Sequence, residues 1–206
     1  MRKKLIAQLA KKGIQDKRVL EAMERIPRHW YLDEAFVKFA YDDTAFKIGA
    51  GQTISQPYTV AFQTELLQLK PTDSVLEIGT GSGYQAAVLG ELVSKVYTIE
   101  RHKSLSDKAR KLLKQLGYTN IRCFFGDGFA GLPAFAPYDG IIITAAAPEV
   151  PQTLLDQLKV GGRLVIPLGE GDTQQMLRIT RVAEEEYKTE EFDRFKFVPM
   201  LKGAVR

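Results

Sequence analysis

A chain of 206 residues with 45% hydrophobic content can build one full core, and its net charge of only +4 comes from Lys and Arg interspersed among Asp and Glu. No apolar run approaches a bilayer span, Met1-Arg-Lys-Lys-Leu lacks the apolar core of a secretory signal, and a single cysteine excludes an internal disulfide. The expectation is one soluble, cytoplasmic domain over residues 1–206, a monomer with no membrane or nucleic-acid partner. Its densest basic groups, Arg2 to Lys4 with Lys11-Lys12 and Lys108 to Lys114, read as solvated helix faces.

Residues 3–12 and 16–25 carry apolar positions at helical spacing (Leu5, Ile6, Leu9; then Val19, Leu20, Met23) and are separated by Gly13, so they predict a helical N-terminal cap. Pro27 closes the second helix, and Trp30 to Phe39 predicts a further helical stretch. Gly49-Ala-Gly51-Gln-Thr-Ile-Ser55-Gln-Pro57 holds too many breakers for regular structure and reads as a loop. Pro57 suits the first turn of a helix reaching Leu67.

From residue 74 the pattern alternates. Short β-rich runs at 74–78, 95–100, 120–125, 138–144 and 163–167 are separated by helical candidates at 84–92, 103–116 and 151–158. That series predicts an α/β fold, a doubly wound, mainly parallel, Rossmann-like sheet. Runs at 176–182 and 187–198 add C-terminal antiparallel strands. The provisional division is 1–56 for the cap and a loop, 57–170 for the α/β core and 171–206 for the terminal strands.

The chemistry is concentrated where these strands end. Val75-Leu-Glu-Ile-Gly79-Thr-Gly81-Ser-Gly83-Tyr84 is an apolar run emptying into Gly-x-Gly-x-Gly, and glycines at alternate positions let backbone turn sharply and approach a ligand. A dinucleotide fingerprint would read Gly-x-Gly-x-x-Gly. Glu77 would repel a diphosphate but not the sulfonium and ammonium of S-adenosylmethionine (SAM), so the motif favours SAM. Gly79 and Gly81 then line the cofactor.

Glu100 lies 21 residues after Gly79, where a carboxylate can accept from both ribose hydroxyls, or be a solvated strand-end charge. Asp127, between Gly126 and Gly128, can accept from an adenine amino group or form an Asx turn. Ser55 stands open in the same way, as a hydrogen-bond donor in a loop that closes the site or as the cap of the helix at Pro57. Cys123, Tyr84 and Tyr138 read as core. With only His29, His102 and one cysteine, no metal site is expected, and no Gly-x-Ser-x-Gly elbow supports a serine hydrolase.

Several blocks together resemble the bacterial protein-L-isoaspartate O-methyltransferase family. They are Glu24-Arg-Ile-Pro-Arg28, Ala40-Tyr-Asp-Asp43, Gly51-Gln-Thr-Ile-Ser-Gln-Pro-Tyr58, Thr64-Glu-Leu-Leu67, residues 75–88, Gly126-Asp-Gly128, Tyr138-Asp-Gly, Ala147-Pro-Glu-Val-Pro151 and Gly161 to Gly169. The resemblance implies SAM-dependent methylation of the free α-carboxyl of L-isoaspartyl, and some D-aspartyl, residues in damaged proteins and peptides. S-adenosylhomocysteine (SAH) would be the product and no metal would be needed.

The resemblance also makes Ser55 the active-site serine and Gln52, Thr53, Ile54, Ser55, Val60, Ser82, Glu100, Asp127 and Gly128 cofactor contacts. It places Val198 and Pro199 beside the bound peptide. Gln63 departs from the methionine common in bacterial members, and the usual terminal tryptophan is missing after Met200. The alternatives are a SAM-dependent enzyme acting on RNA or a small molecule, or a noncatalytic SAM-binding module. Thr144-Ala-Ala-Ala-Pro, standing where base-nitrogen methylation uses Asn/Asp-Pro-Pro-aromatic, argues against RNA.

Overall fold

Two short amphipathic helices, α1 (Arg2–Lys11) and α2 (Lys17–Arg25), open the chain in the computed structural model, which describes all 206 residues. Gly13, at φ +106°, turns the chain between them, and Asp16 caps α2 by accepting from the Arg18 amide. Beyond Pro27 the expected helix at 30–39 is instead two 3₁₀ turns, Arg28–Tyr31 and Glu34–Phe39. Leu32 and Asp33 between them are extended and break the α ladder.

The segment read as an irregular loop contains a β-hairpin, β1 (Phe46–Gly49) with β2 (Gln52–Ile54). The same glycines that argued against structure supply its turn: Gly49, Ala50 and Gly51 all have positive φ. Ile48 and Ile54 bury the hairpin on the cap. Helix α3 (Pro57–Leu67) follows with proline in its first turn.

The main sheet contains β3 (Ser74–Ile78), β4 (Lys95–Glu100), β5 (Ile121–Phe125), β6 (Tyr138–Ile143), β7 (Leu158–Leu168), β8 (Gln174–Ala183) and β9 (Glu186–Phe195). Their order is β5-β4-β3-β6-β7-β8-β9, parallel through β7 and antiparallel beyond it. Helices α4 (Tyr84–Gly90), α5 (Lys103–Gln115) and α6 (Gln152–Leu155) connect the parallel strands. The expected helix at 151–158 is cut short because β7 already pairs at Leu158, opposite Tyr138.

Successive strand residues point to opposite faces, and the core divides accordingly. Val75, Val96, Ile142 and Val165 pack with the cap and α3 to α5. Leu76, Tyr97, Ile141 and Leu164 pack on the other face with α6 and the aromatic turn at Phe135. The sheet is therefore covered on both sides, as the doubly wound reading requires. Strand order reverses at β3, with β4 on one side and β6 on the other, so a crevice opens beyond their carboxyl ends. Residues after β9 cross that edge, where Pro199 bridges Ala146 and Val205 bridges His102.

Candidate active site

Three connected hollows occupy the crevice, and Thr53 and Thr144 line all three. The first is an open groove of about 680 Å³ between the Ser55 loop and the stretch from Asp193 to Val198. The second, about 60 Å³, lies between Glu100, Gly128 and Met200. The third, about 30 Å³, lies among Ser55, Val60, Ser82 and Gln85. Pockets for small ligands usually measure about 300–1,000 Å³, so a nucleoside must part the walls of the two narrow recesses to enter.

The glycine turn brings backbone rather than side chains to these recesses. Gly79, Gly81 and Gly83 have φ of +98°, +51° and +87°, a region closed to most side chains. A Cβ on Gly79 would stand 2.5 Å from Thr144 Oγ1. That hydroxyl ties β6 to the turn by donating to the carbonyls of Ile78 (3.0 Å) and Gly79 (2.8 Å). Thr144 was not singled out as a site residue from the sequence, and its place as the residue closing β6 was the available signal.

Glu100, 4% exposed, accepts from the Gly81 amide through Oε2 and the His102 amide through Oε1, each at 2.9 Å. Each oxygen keeps acceptor capacity toward the recess it lines. Asp127 takes the Asx-turn form, accepting from the Phe129 amide at 2.9 Å, and also accepts from the Gly203 amide at 2.8 Å. Gly128 lines the recess beside it. Gln52 lines the same recess, while Ile54, Val60 and Ser82 meet in the smaller one with Ser55. Val198 borders both the groove and the Glu100 recess, but Pro199 borders only the recess.

Glu77 lines none of the hollows. It is fully buried on the face carrying α3 to α5, where the Thr98 hydroxyl donates to its Oε2 and the Thr80 hydroxyl donates in turn to Thr98 at 2.6 Å. Its Oε1 has no partner. Burial pushes its carboxyl up from the ordinary 4.5 to about 8, so near neutral pH it is largely protonated. The carboxylate thought to select a cationic ligand is therefore a neutral group behind the glycine turn.

This has a stability consequence. Between about pH 4.5 and 8 the unfolded chain has lost this proton while the folded chain holds it, so the contribution is full below the lower value and is lost as pH rises through the upper. Glu77→Gln keeps an acceptor for Thr98 and removes the titration. Its melting temperature should match wild type near pH 4.5 and exceed it by on the order of 10 °C at pH 8. A difference that stays constant across that range would assign the titration elsewhere.

The Ser55 loop is fixed by Arg28, the last residue of the Glu24 to Arg28 block, for which residue spacing indicates no role. Arg28 is fully buried and donates to the carbonyls of Ala40 (2.7 Å), Thr44 (3.1 Å) and Ser55 (3.1 Å). It is sandwiched near the rings of Phe46 and Tyr84. No carboxylate touches it, and burial lowers its pKa. Asp43 secures the next turn by accepting from the Tyr58 amide (2.8 Å) while paired with Lys12. The Ser55 hydroxyl makes no hydrogen bond within the protein and borders both the groove and the smallest recess. The helix-cap reading of Ser55 thus fails, since Gln56 precedes α3 and no side chain caps it.

The sequence profile of the family described as protein-L-isoaspartate(D-aspartate) O-methyltransferase (PCMT) matches residues 1–205. The chain is 59% identical over 201 residues to a protein-L-isoaspartate O-methyltransferase of Cytophaga hutchinsonii, covering 98% of this chain and 90% of the relative. It is 51% identical over 205 residues to one from Pseudomonas aeruginosa, covering 99% and 97%. A solved protein-L-isoaspartate O-methyltransferase superposes with a TM-score of 0.87 at 31% identity over 97% of this chain, which spans 65% of that longer one. A PCMT from Plasmodium falciparum in complex with SAH gives a TM-score of 0.84 at 26% identity over 98% of both chains.

Proposed function

The chain belongs to the protein-L-isoaspartate(D-aspartate) O-methyltransferase family and is a SAM-dependent enzyme that methylates isoaspartyl residues in protein repair; from that premise we propose how its crevice divides the work. The two recesses hold the cofactor and the open groove holds the damaged peptide. The observation that carries this division is that Ser55, Thr53 and Thr144 border both the groove and the recess beside the glycine turn. Donor and acceptor of a transferred group can meet only at such a shared wall.

The residues present fit SAM. Glu100 offers free acceptor capacity for ribose hydroxyls, Gly128 borders the base with Asp127 behind it holding the turn, Gln52 to Ile54 and Val60 close the opposite wall, and Gly79, Gly81 and Ser82 bring backbone against the amino-acid end. Glu77 supports that turn from behind through Thr98 and Thr80. When bound, SAM supplies an electrophilic methyl group and leaves as SAH.

The remaining task falls to the protein's own side chains. The isoaspartyl α-carboxyl is ionised at neutral pH, so it needs neither a general base nor a metal. Ser55 donates its unengaged hydroxyl to one carboxylate oxygen and directs the other toward the recess. Val198 and Phe195 line the groove with apolar surface, and a peptide seated against them would shield the nucleophile from water, which favours displacement. The ester formed loses methanol when the neighbouring backbone nitrogen closes a succinimide, a step that uses no residue of this chain.

The whole chain acts in this reading as a single domain and a monomer in the cytoplasm, on proteins and peptides carrying L-isoaspartyl and some D-aspartyl residues, without a membrane or nucleic-acid partner. No helix of the chain is long and apolar enough to cross a membrane. The deciding experiment is transfer of labelled methyl from SAM to an isoaspartyl peptide, with its normal aspartyl counterpart as control. Labelling of the isoaspartyl peptide alone is expected; equal labelling of both would overturn the assignment.

A further inference from the structure

The first turn of α4 carries Gln85, which is 7% exposed and lines the smallest recess with Ser55, Val60 and Ser82. Its Nε2 donates to Thr64 Oγ1 at 2.9 Å, and the Thr64 hydroxyl donates to the Val60 carbonyl at 2.7 Å. A threonine hydroxyl has one proton. With that proton committed to Val60, Thr64 can only accept from Gln85, so the amide orientation is fixed. Gln85 Oε1 is left buried as an acceptor with no donor in the protein. A buried acceptor without a donor costs about 1–3 kcal/mol, and the Thr64 side chain with the Val60 backbone carbonyl holds this one in that position.

We propose that Gln85 Oε1 receives the α-ammonium of the cofactor's amino-acid end and thereby sets which way round that end lies in the recess. The inference rests on the division of the crevice given above. Among the groups that meet near Ser55 and Ser82, the cofactor carboxylate and the isoaspartyl carboxylate are acceptors only, and a carbonyl-type oxygen repels both. The ammonium is the one cofactor donor at this end. Gln85 therefore admits the amino group and turns the carboxylate toward the backbone amides of the glycine turn. The Gln85 to Thr64 to Val60 chain ties that acceptor to α3, which begins directly after the Ser55 loop.

The test compares calorimetric binding of SAH with that of its desamino analogue, in which hydrogen replaces the α-amino group, on the full-length protein. Wild type should bind SAH at least tenfold more tightly than the analogue. Gln85→Leu should bring that ratio within about threefold by weakening SAH while leaving the analogue unchanged. Gln85→Glu, which keeps an acceptor oxygen, should retain the preference. An unchanged ratio in Gln85→Leu, or equal weakening of both ligands, would reduce Gln85 to a packing residue and overturn the proposal. Should the variants not fold, equal binding of the two ligands by wild type would overturn it alone. Failure of wild type to bind either ligand would instead strike the cofactor assignment itself.

Discussion

Replacing Ser55 with alanine should lower kcat/KM on an isoaspartyl peptide by about 100-fold, within the range for removing one preorganised hydrogen-bond donor from a reacting oxygen. The side chain sits on the wall shared by groove and recess and has no hydrogen bond to the protein. Its removal therefore costs the fold little. The loop is held through the Ser55 backbone carbonyl, which Arg28 grips at 3.1 Å, so alanine leaves the loop in place.

Calorimetry should accordingly show SAH affinity within a few-fold of wild type and an unchanged melting temperature, with the loss confined to turnover. Because the nucleophile is ionised before binding, the rate of the variant should follow the same pH dependence as wild type near neutrality. Retention of full kcat/KM would remove Ser55 from the mechanism. A large loss of SAH affinity would make it a cofactor ligand only.

The second large effect is on the fold beneath that loop. Arg28→Met keeps much of the apolar stem between Phe46 and Tyr84 but removes the donors to Ala40, Thr44 and Ser55. Three buried or partly buried carbonyls then lose their partner, against a gain from no longer desolvating a guanidinium. The net expectation is a loss of about 3 kcal/mol, or roughly 6–12 °C in melting temperature for a chain of this size. Arg28→Lys retains the charge but, lacking the planar fork, cannot reach three carbonyls at once. It should fold and yet lose peptide turnover along with order in the Ser55 loop. In the Ser55→Ala background the same change should cost little further activity, since Arg28 acts on turnover by placing the Ser55 hydroxyl that alanine has already removed. A melting temperature for Arg28→Met within 2 °C of wild type would show that water replaces the guanidinium.

Much of this was legible in the residues, because the signals were local. The periodicity from Ser74 to Ile143 located four strands to within one residue at either end, and Gly79 to Gly83 could be read as a ligand turn because three alternate glycines have few other uses. Glycine and proline misled where they were taken only as breakers. Gly49 and Gly51 make the turn of a hairpin, and that pairing depends on Phe46 meeting Ile54, a contact that breaker counting ignores. Glu77 was misjudged for another reason. Its charge depends on surroundings, and its neighbours Thr98 and Ile142 lie far along the chain.

The alternation of strands and helices, the glycine turn, Glu100 at the end of its strand and the likeness of the Ser55 loop to a family block are all legible in the residues. Each of these is a property of residue type and short spacing. Packing in three dimensions was needed to show that Arg28 fixes the loop, that Thr144 joins turn to groove, that Glu77 is buried and largely neutral, and that Gln85 keeps an acceptor without a donor. Those facts arise from burial and from hydrogen-bond partners 12 to 66 residues apart, and no one-dimensional pattern encodes which buried polar atom is left unpaired.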